Sequence, residues 1–438
     1  MQKIGPELEQ RTMPAKRIAG RGLADRRDFL TRGITLTGGA LAGVFADGSA
    51  ARAAESLTPA VSPWQQIPGQ LFRSYGQPSR FEEATKRTFF QPFGAIAPGA
   101  GSSFTPLQSL DGIITPNGLH FERHHNGVPE IDPAQHRLLI HGLVKRPLFF
   151  TVQALLRYPM TSRICFVECG GNSFRNTLPQ PPQVTCGMIH GLLSCSEWTG
   201  VPLATLLAEA GVDPKGKWVL AEGADAASMT RSVPLEKVLD DALIALFQNG
   251  EAIRPEQGYP VRLLLPGWVG NMSVKWLRRI KVTDGPTHTR DETSHYTDLM
   301  PDGKARQFTF VMGVKSVITQ PSGEMTMQGA GFYEISGLAW TGAGRITKVE
   351  VSADGGASWA EATLQEPVLR QSLSRFRIPW NWNGGPALLQ SRATDDHGRV
   401  QETHKDWAAH YSPANRYHCN AIQTWSVTSE GSIHNVYL

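Results

Sequence analysis

The segment Arg163-Ile164-Cys165-Phe166-Val167-Glu168-Cys169-Gly170-Gly171-Asn172-Ser173 reads as a largely apolar strand running into a tight turn. The strand ends at Glu168, and two glycines followed by Asn172 let the chain reverse while the backbone stays open to close approach by a ligand. Cys169 thus emerges at the end of a rigid element, among backbone N–H groups. Further strand-like runs at Arg137–His141, Lys217–Ala221 and Val261–Leu265 alternate with helical ones at Val152–Arg157, Pro202–Ala210 and Leu235–Leu239. That alternation predicts a mixed α+β domain over 111–300. In the best specified helix, Pro202 suits the first turn, Leu203, Leu206 and Leu207 share one face, and Gly211 suits the stop.

Downstream the pattern changes. Asp284-Gly285-Pro286 opens a polar segment, which places a domain junction between 284 and 307. Strand-length runs then recur at Phe308–Val314, Phe332–Trp340, Ile346–Ser352 and Ala387–Ala393. Turns such as Asp354-Gly355-Gly356 and Asp395-Asp396-His397-Gly398 punctuate them. Short strands with turn punctuation predict a β-sandwich over 308–438. Upstream, residues 54–110 are rich in Pro, Gly and Ser and read as an extended arm laid over the body.

Residues 1–53 have the order of a twin-arginine signal peptide: Arg26-Arg27-Asp28-Phe29-Leu30, an apolar stretch from Gly33 to Phe45, then Ala51-Arg52-Ala53. The expectation is a bacterial periplasmic protein, exported folded. That route matters most when a complex cofactor is inserted before export. The apolar stretch is shorter than the roughly 20 residues of a membrane span. Of 43 Lys/Arg and 39 Asp/Glu, residues 1–53 carry nine and five, which leaves 34 of each on the remainder. A neutral body has no basic excess for nucleic acid. With 40% hydrophobic and 19% charged residues, 44 Gly and 30 Pro, it is a loop-rich globular chain rather than a disordered or fibrous one.

Five cysteines, Cys165, Cys169, Cys186, Cys195 and Cys419, leave at least one without an intramolecular disulfide partner. Cys169 is either a ligand thiolate or a packed free thiol. The four between 165 and 195 lack the paired knuckles of a strong zinc site, and Cys-x-x-Cys-His, the motif of a covalent haem, is absent. Arg123-His124-His125 suits an oxyanion or phosphate, but equally a solvated loop or an incomplete metal site. Gly258 to Gly270 leads into Ser273-Val274-Lys275-Trp276. That order fits an anionic-cofactor cradle or an ordinary buried strand and turn.

Taken in order, these motifs resemble the sulfite oxidase family of molybdenum enzymes. Val351-Ser352-Ala353-Asp354-Gly355-Gly356-Ala357-Ser358-Trp359 resembles the immunoglobulin-like dimerisation domain of that family. The resemblance runs from about 111 to the C-terminus. It implies a mixed α+β molybdopterin-binding domain followed by an immunoglobulin-like β-sandwich, with molybdenum–molybdopterin as cofactor and no haem on this chain. It implies that Cys169 is the thiolate ligand of the metal, that Arg123 holds the negative group of the substrate, and that Tyr296 donates to its oxygen. Arg416 is implied as a substrate arginine from the C-terminal domain. His125, Arg262, Ser273 and Lys275 are implied to line the pterin phosphate or the substrate anion site with Arg123, and Asp225 to join the cofactor-binding set.

One position departs from the sulfite-oxidising pattern. Members that oxidise free sulfite carry an arginine five residues after the ligand cysteine, where this chain has Phe174, with Arg175 next. With the leader and the missing haem motif, the chain is similar to the molybdenum subunits of sulfane dehydrogenases in bacterial (Sox) sulfur oxidation. The resemblance then implies a separate c-type cytochrome subunit, a sulfur-carrier protein as substrate donor, and self-association through the C-terminal domain. Neutral charge and eleven tryptophans lead us to expect a stable, apolar interface with the cytochrome. The alternatives are a periplasmic sulfite dehydrogenase and, from another class, a non-enzymatic exported binding protein with a zinc-stabilised head.

Overall fold

The structure is a computed structural model that describes residues 22–23, 61–92 and 96–438. Apart from Gly22 and Leu23, the twin-arginine leader lies outside the described residues. Thr88–Phe90 (β1), Gly101–Phe104 (β2) and Glu122–His124 (β3) form a three-stranded antiparallel sheet, with Ser102 opposite Arg123. This shifts the expected boundary at 110. The buried Ser103 hydroxyl accepts from Glu122 N at 3.0 Å and Thr105 N donates to Gly191 O at 2.9 Å, so the chain from about 100 onward belongs to the first domain. Only the part before it is an exposed arm.

Next come Arg137–Gly142 (β4), Leu148–Thr151 (β5), helix Val152–Leu155 (α1), Thr161–Glu168 (β6), helix Cys186–His190 (α2), Leu193–Pro202 (β7) and helix Leu203–Ala210 (α3). Trp218–Gly223 (β8), Thr230–Pro234 (β9), helix Leu235–Asp241 (α4), Leu243–Gln248 (β10), Glu251–Ala252 (β11), Arg262–Leu264 (β12) and Leu277–Thr283 (β13) complete the domain. They make two sheets, ordered β11-β10-β7-β6 with β12 on β10, and β5-β4-β13-β8-β9. Only β4 and β13 run parallel, as a mixed sheet permits. Pro202 closes β7 and caps α3 rather than opening its first turn. The buried face of α3 is Leu203, Leu206, Leu207 and Ala210, and Gly211 stops it at φ +72°.

The junction is more structured than its polarity predicts. Helix Arg290–Thr293 (α5) buries Asp291 and Glu292 against β9, where the Ser232 hydroxyl donates to Glu292 at 3.0 Å. Asp298–Leu299 (β14) and Ala305–Arg306 (β15) form a short hairpin. Phe308–Val314 is not a strand. Its aromatics face backwards: Phe310 stacks on Trp268 with centroids 4.3 Å apart, and Phe308 lies 5.5 Å from Trp218. That run is a strap whose aromatic contacts with the first domain outweigh its strand propensity.

Lys315–Gln320 (β16), Gly331–Trp340 (β17), Ile346–Ser352 (β18), Ala360–Glu361 (β19), Thr363–Leu364 (β20), Ser374–Trp382 (β21) and Ala387–Asp395 (β22) build the second domain. Helix His404–His410 (α6), Thr424–Val427 (β23) and Ile433–Val436 (β24) finish it. Two antiparallel sheets, β16-β17-β21-β20 and β19-β18-β22-β23-β24, pack as a sandwich. One continuous apolar core joins residues of both domains, from Leu138 and Leu277 to Trp340 and Trp425. The second domain is therefore fused to the first.

Candidate active site

β6 delivers Cys169 to a cleft with about 660 Å³ of empty space, whose other walls are β3, β12, residues 270–276 and Tyr296. Cys169 N donates to Leu192 O at 3.0 Å and Asn172 N to Cys169 O at 2.8 Å, which closes the turn that the glycines predicted. Eight of the expected site residues line this cleft: Arg123, His125, Cys169, Asp225, Arg262, Ser273, Lys275 and Tyr296. Arg416 does not. Its guanidinium is exposed and donates to Thr177 Oγ1 and Pro413 O, and the neighbouring Tyr417 faces Cys169 instead. Arg416 was implied by the resemblance alone; here it stands outside the cleft, and Tyr417 lines the adjoining cavity that also contains Cys169.

Three cations face this cleft against one carboxylate. Arg262 is 3% exposed; it donates to Gln257 O at 3.1 Å, lies 5.0 Å over the Trp198 ring, and leaves its buried Nε without a partner. Burial pulls its pKa down to about 10. Lys275 Nζ donates to His124 Nδ1 at 2.8 Å, Glu256 O at 3.0 Å and Arg123 O at 3.2 Å. Burial, then the Arg262 charge, holds it well below the usual lysine range. Asp225 is the only acidic residue on the wall. Gly258, at φ +113°, lets the two cations converge, since a Cβ there would lie 3.1 Å from Lys275 Cβ and 3.3 Å from Arg262 Cβ. Ser273 Oγ accepts from Leu265 N at 3.1 Å, which frees its hydrogen for the cleft.

Nearer the mouth, Tyr296 Oη hydrogen-bonds His125 Nε2 at 2.9 Å. Burial and then the Arg123 charge lower the His125 pKa to about 3, so this imidazole is neutral at pH 7. Burial also raises the Tyr296 phenol, leaving a protonated hydroxyl beside a neutral ring. The Cys169 thiol is likewise raised by burial, partly offset by a backbone N–H at Gly171 and by Arg123. A metal would bind the thiolate and release its proton. The other four cysteines line neither this cleft nor the adjoining cavity walled by Phe90, Phe104, Phe174 and Tyr417. Among the described residues no group of three or more His, Cys, Asp or Glu stands together as a metal site.

Two family models match: an oxidoreductase molybdopterin binding domain over residues 125–290 and a Mo-co oxidoreductase dimerisation domain over 306–425. The crystal structure of the sulfane dehydrogenase SoxCD from Paracoccus pantotrophus superposes with a TM-score of 0.84 at 47% identity, covering 86% of this chain and 98% of that one. The chain belongs to the sulfite oxidase family of molybdopterin oxidoreductases. Nitrate reductases are also similar: the NADH enzyme of Solanum lycopersicum is 32% identical over 319 residues, 64% of this chain and 34% of its own. The NADPH enzyme of Phytophthora infestans is 32% identical over 317 residues, again 34% of its length. The chain spans about a third of these curated relatives.

The cleft fits the cofactor of the family. A buried, carboxylate-poor cation pair with an orphaned guanidinium N–H requires an anionic partner, and a pterin phosphate is one. Asn271 Oδ1, also buried and unpartnered on this wall, is an acceptor for a ring N–H. A soft thiol stands at one end.

Proposed function

We propose that this chain is the molybdenum subunit of a sulfane dehydrogenase, which oxidises sulfane sulfur carried on a cysteine of a partner protein. Each oxygen added to sulfur comes from water and releases two protons and two electrons. Bound molybdenum–molybdopterin supplies the oxygen-transfer and electron-pair chemistry. Cys169 is the thiolate ligand. Arg262, Lys275 and Ser273 hold the phosphate, with Asp225 and His125 on the same wall. Arg123 holds the negative end of the substrate, and Tyr296, whose hydroxyl stays protonated, donates to its oxygen.

The observation that carries the substrate class is the vestibule above Cys169. Its walls are Phe90, Pro92, Phe104, Phe174, Leu192 and Tyr417, with Arg123, His125, His295 and Tyr296 among its polar groups. Arg175 does not line it. Its guanidinium is held 5.3 Å from the Phe90 ring, 5.7 Å from Phe104 and 5.4 Å from Phe174. An aromatic funnel with one fixed guanidinium suits the apolar stem of a side chain that ends in sulfur, whereas a free dianion needs more cations. Phe174→Arg is expected to raise kcat/KM on free sulfite about 10-fold or more, the worth of one charge-assisted hydrogen bond, and to lower it on carrier-bound sulfane. If the unaltered protein turns over free sulfite as well as a protein-bound sulfane, the sulfite dehydrogenase reading replaces this one.

Electrons leave this chain one at a time, and a c-type cytochrome subunit is the acceptor we propose. The aromatics for its interface are mostly not the tryptophans: Trp64 alone of the eleven is exposed. The arm instead presents Phe72 at 107%, Leu71 at 91%, Phe81 at 80% and Trp64 at 77% exposure. It then runs through β1 into the vestibule wall at Phe90. An apolar strap that leads to the site mouth suits a stable, weakly salt-dependent complex. Changing Trp64, Phe72 and Phe81 together to serine is expected to leave the fold intact and to remove haem absorbance from the co-purified complex. Undiminished haem would count against the arm. Self-association through the second domain is proposed from the dimerisation family model.

Periplasmic export is proposed from Arg26-Arg27 and the following apolar stretch. Lysine at both positions should leave an unprocessed precursor in the cytoplasm, and normal periplasmic accumulation would refute dependence on the pair.

A further inference from the structure

The two residues that bracket the Cys169 turn are both anchored in the second domain. Glu168, immediately before Cys169, and Lys315, the first residue of β16, are each 1% exposed. Glu168 Oε1 accepts from Asn172 Nδ2 at 2.9 Å and from Lys315 Nζ at 3.5 Å, and its Oε2 accepts from Trp340 Nε1 at 2.6 Å. Lys315 Nζ also donates to Ser173 Oγ at 2.6 Å. Ser173 in turn donates to His190 Nδ1 at 2.7 Å, and His190 Nε2 donates to Gln423 Oε1 at 3.2 Å. Asn172 Oδ1 accepts from Leu192 N at 3.1 Å, and Leu192 O receives the Cys169 N–H at 3.0 Å. His418 N, also from the C-terminal part, holds Gly170 O at 2.9 Å.

A buried carboxylate with three donors has one low-energy placement, because any displacement leaves a charge or a donor unsatisfied in an apolar interior. Glu168 is that carboxylate, and two of its three donors come from β16 and β17. The path Lys315–Glu168–Asn172–Leu192–Cys169 returns to the thiol-bearing residue through hydrogen bonds. Lys315 itself lines neither the cleft nor the vestibule, so it has no route to substrate except through this ring.

We propose that Lys315 is a positioning residue for Cys169: through Glu168 and Ser173, the second domain holds the ligand turn in the one orientation that presents its sulfur to the cofactor cleft. The second domain is then part of the metal site as well as a surface for association. The inference rests on the reading of Cys169 as the ligand.

The test uses full-length protein with Lys315→Met, Lys315→Arg and the charge-balanced pair Lys315→Met with Glu168→Gln. In cofactor-free protein, alkylation of each cysteine by iodoacetamide is followed by mass spectrometry. Cys169 is expected to react at least about 10-fold faster in Lys315→Met, while Cys165, Cys186, Cys195 and Cys419 stay protected; Lys315→Arg should restore most of the slow rate. The charge-balanced pair should recover thermal stability but not the slow Cys169 rate. In molybdenum-loaded protein, with cysteine persulfide as a small sulfane probe and ferricyanide as acceptor, kcat should fall about 10-fold with KM unchanged within about twofold. The sulfur-to-molybdenum absorption should shift.

Uniform exposure of all five thiols, recovered together with stability in the charge-balanced pair, would mean that Lys315 only supports the fold and would overturn the proposal. Unchanged Cys169 alkylation and kcat in a folded Lys315→Met protein would overturn it too. If Lys315→Met does not fold, Trp340→Phe, which removes one donor to Glu168, is read by the same criteria. Failure of the ligand reading looks different: the absorption band of loaded protein would then survive Cys169→Ala.

Discussion

Cys169→Ser is expected to give a folded protein whose turnover is lower by more than about 100-fold, because a hard, weakly acidic hydroxyl replaces a soft thiolate as ligand. The structure sharpens the control. Cys169 is 9% exposed and opens onto both cavities, whereas Cys165, Cys186, Cys195 and Cys419 are at most 3% exposed and open onto neither. Cys165→Ser places a hydroxyl in an apolar cluster beside Trp198 and should cost about 1–3 kcal/mol of stability while activity persists. Metal and pterin analysis of the same preparations completes the measurement. Full turnover in a molybdenum-loaded Cys169→Ser protein, or loss confined to Cys165→Ser, would sink the ligand assignment. Zinc in place of molybdenum would favour an exported binding protein.

Arg262→Met is expected to move stability and function in opposite directions. In the cofactor-free protein this guanidinium is 3% exposed, has no carboxylate partner and leaves Nε unbonded. Replacing an unpaired buried charge by an apolar side chain of similar length should stabilise the empty protein by about 1–3 kcal/mol, a rise of roughly 2–5 °C in Tm. Met also keeps a contact with the Trp198 ring that Arg262 now covers. Molybdopterin retention should instead fall about 10-fold or more, since a bidentate partner for an anion is gone. Calorimetry of cofactor-free protein and pterin content of purified protein read the two effects separately. A destabilised protein that keeps its full pterin content would show that Arg262 is a structural cation and not a cofactor-binding one.

Eight of the nine expected site residues line the cleft: Arg123, His125, Cys169 and Arg262 sit on a strand or one residue past its end, whereas Asp225, Ser273, Lys275 and Tyr296 lie on connecting segments. β6 ends at Glu168, one residue before Cys169, β3 carries Arg123 and leads to His125, and β12 carries Arg262 ahead of the turn to Ser273 and Lys275. Arg416 came from the resemblance across an irregular loop, where no periodicity marks which side chain faces inward, and it lies outside the cleft. Phe308–Val314 has the local marks of a strand but pairs only through the single antiparallel bridge of Val311 to Trp268, while Phe308 and Phe310 pack on Trp218 and Trp268.

What the sequence determined alone is the succession of an α+β domain and a β-sandwich, the cysteine at the turn, and the presence of cationic segments at Arg123–His125 and Arg262–Lys275. Local propensity, hydrophobic period and turn chemistry suffice for these, since each is set by residues within a few positions of one another. What only the tertiary structure decided is which charges are left without a partner, which aromatics stay in solvent, and where one domain ends. Arg262 and Lys275, neither in an ion pair with a carboxylate, share one wall because β12 and residues 270–276 bring them together. Arg175 stays off the vestibule wall, packed against its own neighbour Phe174 and against Phe90 and Phe104 from earlier in the chain. Lys315, unremarkable at the start of β16, pairs with a glutamate 147 residues earlier. Burial and pairing are properties of neighbours in space, and those neighbours exist only after the long-range strands have paired.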